Sequence, residues 1–455
     1  MAPFFAGLDL VMREAALFAA TGFLLLGASD LAVDAIWAGL KLRARSALPL
    51  LVTDLPPPLR PGRLAIFLPA WDEAAVIGQM LRNSLATIAH ANYVVYVGCY
   101  PNDPGGIAAV RAVDDPRVRL VVGPVPGPTT KADCLNRLWR QLRADELAEG
   151  WRAKAVILHD AEDVIDPCEL DVFDALIDRF DMVQLPVIPL IDPNSRWIAG
   201  HYADEFAESH GKEMVVREAI GAALPSAGVG CAFAREALDE VAEANGGDPF
   251  DAASLTEDYE LGLRLGGAGR RSAFVRLADS TGCAPVGTRE YFPSNLDAAI
   301  AQKARWMTGI ALSGWDRLGW SGGIAETWMR LRDRQSVLAA LFLLAGYLAF
   351  LLWLLLGIRQ IITGSVPTPV DPLLAGLLQI NVVMLGWRLA VRFGFVARAY
   401  GWREGLRSIP RVVIGNVVAL CAAHRALIRY RAIRRTGEAR WDKTAHQFPL
   451  TGPAE

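Results

Sequence analysis

The chain has 455 residues, enough for one large catalytic domain plus membrane segments or for two to three ordinary domains. Apolar residues make up 53% and mean hydropathy is +0.26, high for a soluble enzyme, and a net charge of -3 excludes the overall basic character of a nucleic-acid binder. The six cysteines lie far apart, with no C-x-x-C or Cys/His cluster, which argues against a disulfide framework or a zinc site.

The apolar excess sits at the two ends. Residues 15–40 form a long apolar stretch followed by Lys41, Arg43 and Arg45. A cleavable leader carries its basic residues in front, so this reads as a retained anchor, with the N-terminus outside and the residues after it in the cytoplasm. The stiff segment DLPPPLRPG (54–62) separates residues 1–53 from the rest of the chain. From Arg63 to about residue 325, short apolar runs (LAIFLPA, YVVYVGCY, VRLVVG, AVILHD, DMVQLPVI) alternate with helical patterns such as AAVIGQMLRNSLATI. That alternation predicts an α/β domain with a mostly parallel sheet and functional residues at the carboxyl ends of its strands.

Beyond Glu326, ETWMRLRDRQ reads as an amphipathic interface helix and 336–358 as an uncharged membrane span. A second C-terminal span runs from Leu373 to about Val396. The apolar segment 409–428 precedes a basic tail with Arg425, Arg429, Arg431, Arg434 and Arg435. Spanning would carry that tail outside, so an amphipathic helix on the cytoplasmic face is expected. The expectation is three spanning helices, with a membrane region over 326–435 and residues 436–455 as a cytoplasmic tail. Asp30 and Asp34 on the first span and Arg388 and Arg392 on the third fall at similar depth. An unpaired charge at mid-bilayer costs roughly 2.5–3.5 kcal/mol, so the quartet either pairs or turns to water.

The chemistry is carried by short acidic motifs. AVILHD runs into Asp160, Ala161, Glu162 and Asp163, a cluster suited to hard oxygen coordination of Mg²⁺ or Mn²⁺ and equally readable as a solvated turn. Asp72 and Glu73 come after the first strand, Asn102 and Asp103 after the second. Neighbouring strand ends would bring these acids to one rim, where they either recognise a nucleoside beside a metal-bound diphosphate or serve as caps and turns. Glu257 and Asp258 open a helix behind Thr256, as first-turn acids or as a general base. Gln302, Arg305 and Trp306 share a helix face, suited to holding a sugar and a diphosphate, or to ordinary amphipathic packing. GVGC (228–231) lacks the dinucleotide fingerprint. His159 reads as a packed strand residue.

The ordered set FLPAWDE, YPND, TTKADCLN, HDAED, LTED and QKARW resembles the family-2 glycosyltransferases of GT-A fold, over roughly residues 63–310. The likeness is nearest to the membrane-bound synthase-like branch that pairs TED with Q-x-x-R-W, whose W-x-K-T-x-H ending is similar to ARWDKTAHQFP. HDAEDVIDP, QLPVIPL and CAPVGTREYFP look more like the bacteriophage adsorption protein B group, an inner-membrane part of a phage-receptor and exopolysaccharide system. The resemblance implies a Rossmann-like domain and inverting, metal-dependent transfer of a hexosyl or N-acetylhexosaminyl unit. The donor would be a nucleotide-sugar, the acceptor a glycan or lipid-linked glycan, and an export or outer-membrane protein a partner. It implies donor binding by Asp72, Glu73, Asn102, Asp103, Lys131 and Arg305, and metal binding by Asp160 with Glu162, Asp163 sharing that role. Asp258 would be the base with Glu257 beside it, Gln302 and Trp306 would hold the acceptor, and the GVGC glycines would line its side. The second acid of the D-x-D pattern is Glu162 here. The alternative is a membrane scaffold or receptor subunit whose transferase fold no longer turns over.

Overall fold

The computed structural model describes residues 2–44, 50–282, 284–320, 322–364, 369–437 and 447–449. The tail motif at 441–446 lies outside them. Nine strands are β1 (Arg63–Pro69), β2 (Tyr93–Cys99), β3 (Val118–Val122), β4 (Ala153–Leu158), β5 (Met182–Gln184), β6 (Val187–Leu190), β7 (Cys231–Ala234), β8 (Ser272–Phe274) and β9 (Thr288–Tyr291). Seven form one sheet in the order β3-β2-β1-β4-β7-β5-β8, and β6 pairs with β9 apart from it. Every pairing in the large sheet is parallel except the two made by β7, which runs against β4 and β5. The sheet is therefore mostly parallel and the architecture α/β.

Central strands covered on both faces need continuous apolar runs. β2 is buried along its whole length, as is β1 beyond Arg63. Helix Lys131–Glu149 packs Leu135, Leu138 and Trp139 into the same core, begins at a Thr130 cap that accepts from the Asp133 amide, and ends at Gly150 in the left-handed region. β1 lies between β2 and β4, so the turns after these three strands meet at one rim. The run DMVQLPVI, expected as one strand, breaks into β5 and β6. Leu185 donates to the Gly230 carbonyl, Pro186 has no amide to continue the ladder, and its carbonyl accepts from Thr288 of the separate β9.

A long helical segment at 198–219 carries a π-helical turn over Ser209–Glu213. Among the described residues, four helices are long and apolar enough to cross a membrane: Phe4–Arg43, Ser336–Thr363 and Pro372–Tyr400, which both pack on Phe4–Arg43, and the C-terminal helix (Trp402–Thr436). Length and hydropathy thus admit one more than the three expected. The C-terminal helix differs from the others in its packing. Its Arg411 pairs with Asp204 at 2.9 Å, Val418 joins the cluster of Tyr202 and Phe292, Ala422 and Ala426 pack on Ala304, and Tyr430 donates to Asp316. It therefore lies along the α/β domain for most of its length.

Where helix Pro372–Tyr400 meets the domain, Arg388 bonds both Asp30 (3.2 Å) and Glu208 (2.6 Å). The other two members of the expected quartet go elsewhere. Asp34 accepts from Lys212 and Trp387, and Arg392 faces Glu208 at 3.6 Å. The domain's π-bulged segment supplies Glu208 and Lys212 between the two membrane helices, so the charges gather at a seam and not as a bare pair of pairs. Arg332 extends the seam to Asp30 and Glu213.

Candidate active site

Beyond the carboxyl ends of β1 and β4 lies a cleft. Its walls include Glu73, Lys131, Asp160, Glu162, Asp258, Gln302, Arg305 and Trp306, eight side chains from five stretches of sequence. Lys131 is the first residue of its helix, a position whose dipole favours anions. Helix stability does not ask for a lysine there. Asp160 holds it instead, Nζ to Oδ1 at 2.6 Å, and the carboxylates Asp160, Glu257 and Asp258 raise its proton affinity against the cost of burial.

Glu257 and Asp258 occupy the first turn of helix Glu257–Gly267. Burial and the neighbouring Asp258 push Glu257 up to about 7, with Lys131 opposing. Asp258 is raised as well, chiefly by burial, again with Lys131 as the main force in the other direction. Thr256 precedes this helix but its hydroxyl makes no cap; its Oγ1 is buried without a hydrogen-bond partner and the side chain packs against Gly309. Gly228, at φ +80°, approaches so closely that a Cβ would come within 2.1 Å of Asp258 Oδ2, so the glycine turn lets the carboxylate reach the cleft.

Four sequence candidates are placed differently. Asp163 is fully buried and turned away from the cleft: its Oδ2 accepts from the Asp160 amide (3.0 Å) and meets His159 Nδ1 (2.9 Å). Glu169 takes the other ring nitrogen at 2.7 Å, and the two carboxylates hold His159 up to about 10 despite its burial. A third-ligand role for Asp163 conflicts with this inward packing. Asp103 caps helix Pro104–Arg111 through the Gly106 amide and also accepts from the Asp72 amide, each at 2.9 Å. Asn102 exchanges two hydrogen bonds with Gly127. Neither lines the cleft, and both shape the loops around it; Asp72 is exposed, at φ 55°.

Among the described residues no group of three or more His, Cys, Asp or Glu side chains is arranged to hold a cation. Asp160 and Glu162 fit a different kind of site. Mg²⁺ and its relatives commonly take one or two protein carboxylates and complete their shell with substrate phosphates and water. The cleft also has an aromatic wall, of which the sequence motifs singled out only Trp306. Phe206, Phe292 and Trp306 line the cleft, with Tyr202 stacked behind Phe292 at 4.7 Å. Gln302 Oε1 is buried there with no hydrogen-bond partner. Glu290 lines the same wall. Phe206 and Phe292 lie in separate segments brought together by β6 and β9, and no local spacing marks them.

Residues 61–309 match the family described as glycosyltransferase like family 2. The chain belongs to that family. It is also 36% identical over 424 residues to bacteriophage adsorption protein B of Escherichia coli K12 and, equally, to bacteriophage N4 adsorption protein B of Escherichia coli O157:H7. These alignments cover 86% of this chain and 55% of each relative, so this family-2 chain spans about half the length of those curated proteins. Among solved structures, the mannosyltransferase PcManGT of Pyrobaculum calidifontis, in complex with GDP-Man and Mn²⁺, superposes with a TM-score of 0.55 at 17% identity, covering 90% of this chain and 99% of that one. The shared fold is GT-A.

Proposed function

We propose that this chain is an inverting glycosyltransferase of the bacterial inner membrane, taking a sugar from a nucleotide-diphosphate donor, in our reading a UDP-sugar, to a glycan or lipid-linked acceptor. The observation that carries the proposal is the convergence of Lys131, Asp160, Glu162, Asp258, Gln302, Arg305 and Trp306 on one cleft. Asp258 accepts the proton of the acceptor hydroxyl as its oxygen attacks the anomeric carbon and the bond to the diphosphate breaks from the opposite face. Lys131 and Arg305 offset the charge that develops on the departing diphosphate. Asp160 and Glu162 would hold a divalent ion, which when bound supplies further neutralisation of that diphosphate. Glu73 borders the donor end. PcManGT, with GDP-Man and Mn²⁺, is consistent with this division of labour.

The α/β domain faces the cytoplasm in this reading, with three helices spanning. The C-terminal helix stays on the domain's side, because one helix cannot both follow that surface from Arg411 to Tyr430 and cross the bilayer over the same turns. The relatives' name favours a second role, in which the chain also serves as a subunit of an adsorption or export assembly. Nucleotide release from UDP- and GDP-sugars with Mn²⁺ or Mg²⁺ tests the enzyme. Metal-dependent release from one donor, lost in Asp258→Asn and Asp160→Ala, is the expected result. Silence across the panel, with no donor binding by calorimetry, would leave the subunit role alone.

A further inference from the structure

Glu290, within CAPVGTREYFP, is a cleft-lining carboxylate to which the resemblance assigns no role, and its placement is over-determined. Strand β9 is tied to the Asp160 loop on one side: Val164 donates to the Arg289 carbonyl (2.7 Å) and Arg289 returns the bond (3.1 Å). The Arg289 guanidinium pairs with Asp166 at 3.0 Å and donates to the Pro285 and Gly287 carbonyls. On the other side β9 pairs with β6, whose Val187 also lines the cleft. Strand alternation then sends Thr288 and Glu290 inward. The Thr288 hydroxyl donates to Glu169 (3.2 Å), and Glu290, 8% exposed, borders the cleft.

The surroundings indicate what such a carboxylate can bind. Phe292, two residues on, lies 5.0 Å from Phe206 and 6.3 Å from Trp306 between ring centroids. Glu290, Asp258 and the unpartnered Gln302 Oε1 all present hydrogen-bond acceptors, beside flat aromatic faces. Their complement is a ligand rich in hydroxyl donors with apolar C–H faces, which describes a pyranose. An acceptor bearing a phosphate would set an anion against Glu290 and Asp258 in a partly desolvated cleft. Lys303 stands 5.1 Å from the Tyr202 and Trp306 ring centroids but pairs with Glu205, and Arg305, which lines the cleft, serves the donor diphosphate in the proposed transfer.

We propose that Glu290 is an acceptor-binding residue, selecting the uncharged sugar end of a glycan over a lipid phosphate by accepting its hydroxyl hydrogen bonds. The inference rests on the transferase reading. Hydrogen bonds to a charged acceptor weaken when the charge is removed, so Glu290→Gln is expected to lose part of the interaction and Glu290→Ala all of it.

The test uses the full chain in detergent, with donor affinity by calorimetry and transfer to neutral oligosaccharides or to a polyprenyl phosphate. Expected are transfer to oligosaccharide over polyprenyl phosphate, a rise of about tenfold or more in acceptor KM in Glu290→Ala, a smaller rise in Glu290→Gln, and a donor Kd that holds. The glutamine variant keeps the side chain's shape and guards against a misfolded alanine variant. An unchanged acceptor KM in both, an equal loss of donor affinity, or preference for polyprenyl phosphate overturns the assignment while leaving the transferase reading standing. A parent protein that turns over no donor overturns both.

Discussion

Lys131 and Asp258 face each other's charge across the cleft, and the pH behaviour of the site derives from that. Asp258 must be deprotonated to act as a base, and burial raises its proton affinity. Activity should therefore be lost as pH falls through a value above the ordinary carboxylate range. Lys131 is the main force pulling Asp258 and Glu257 back down, so Lys131→Met is expected to move the acid limb of kcat/KM to higher pH. A limb that stays put or moves down contradicts the arrangement. Asp258→Asn should reduce transfer by about 10²–10⁴-fold, with donor affinity by calorimetry near the parent value. At this scale the legible residues were those whose motif and element coincide: Asp160 and Glu162 after a strand, Asp258 opening a helix, Gln302 and Trp306 on one helical face. Glu290 stood within the quoted stretch CAPVGTREYFP, yet its place on the cleft was illegible because a four-residue strand has too few positions to declare its inward side. Asn102 and Asp103 were legible as polar loop residues but not distinguishable as caps and turns, because cap and turn chemistry uses the same polar side chains that ligand binding does.

The turn after β4 is held by a buried clamp, Asp163–His159–Glu169, beneath the Asp160 loop. Removing the imidazole strands two carboxylates in the core, so His159→Ala should lower stability by roughly 3–5 kcal/mol in chemical or thermal unfolding. The sign with pH is fixed by the raised folded-state value. Stabilisation by His159 is fully present below its unfolded value of 6.5 and lost as pH rises towards about 10, so the gap between parent and variant should narrow over that window. A gap that widens would mean the ring is held neutral. The apolar runs of β1, β2 and β4 were readable because doubly covered strands need them, and the edge strand β3 was readable from its β-branched run alone. β7, β8 and β9 were not, since each is four residues or fewer and sheet partners, not local pattern, define it. The split of DMVQLPVI was signalled only by Pro186.

For the whole molecule, the seam between membrane helices and α/β domain is the feature that sequence spacing half revealed. Matching depths pointed to Asp30 and Arg388, which do pair, whereas Glu208 and Lys212 come from a segment some 180 residues away and carry no mark of their role. Asp30→Asn and Arg388→Gln should be non-additive in stability, with a coupling of about 0.5–3 kcal/mol in detergent. Strict additivity would mean the contact contributes nothing. The same segment reaches both ways: Phe206 borders the cleft while Glu208, half a turn on, bonds the arginines of helix Pro372–Tyr400.

A practical corollary concerns trimming. Cutting the gene back to its α/β portion to obtain a water-soluble enzyme would strip Asp204 of Arg411, leaving that carboxylate without its counter-ion, and would uncover the Glu208–Lys212 pair (2.8 Å) that Arg388 and Asp34 now cover. The excised fragment is then expected to misfold or aggregate, and the shortest useful version keeps the helices that look dispensable.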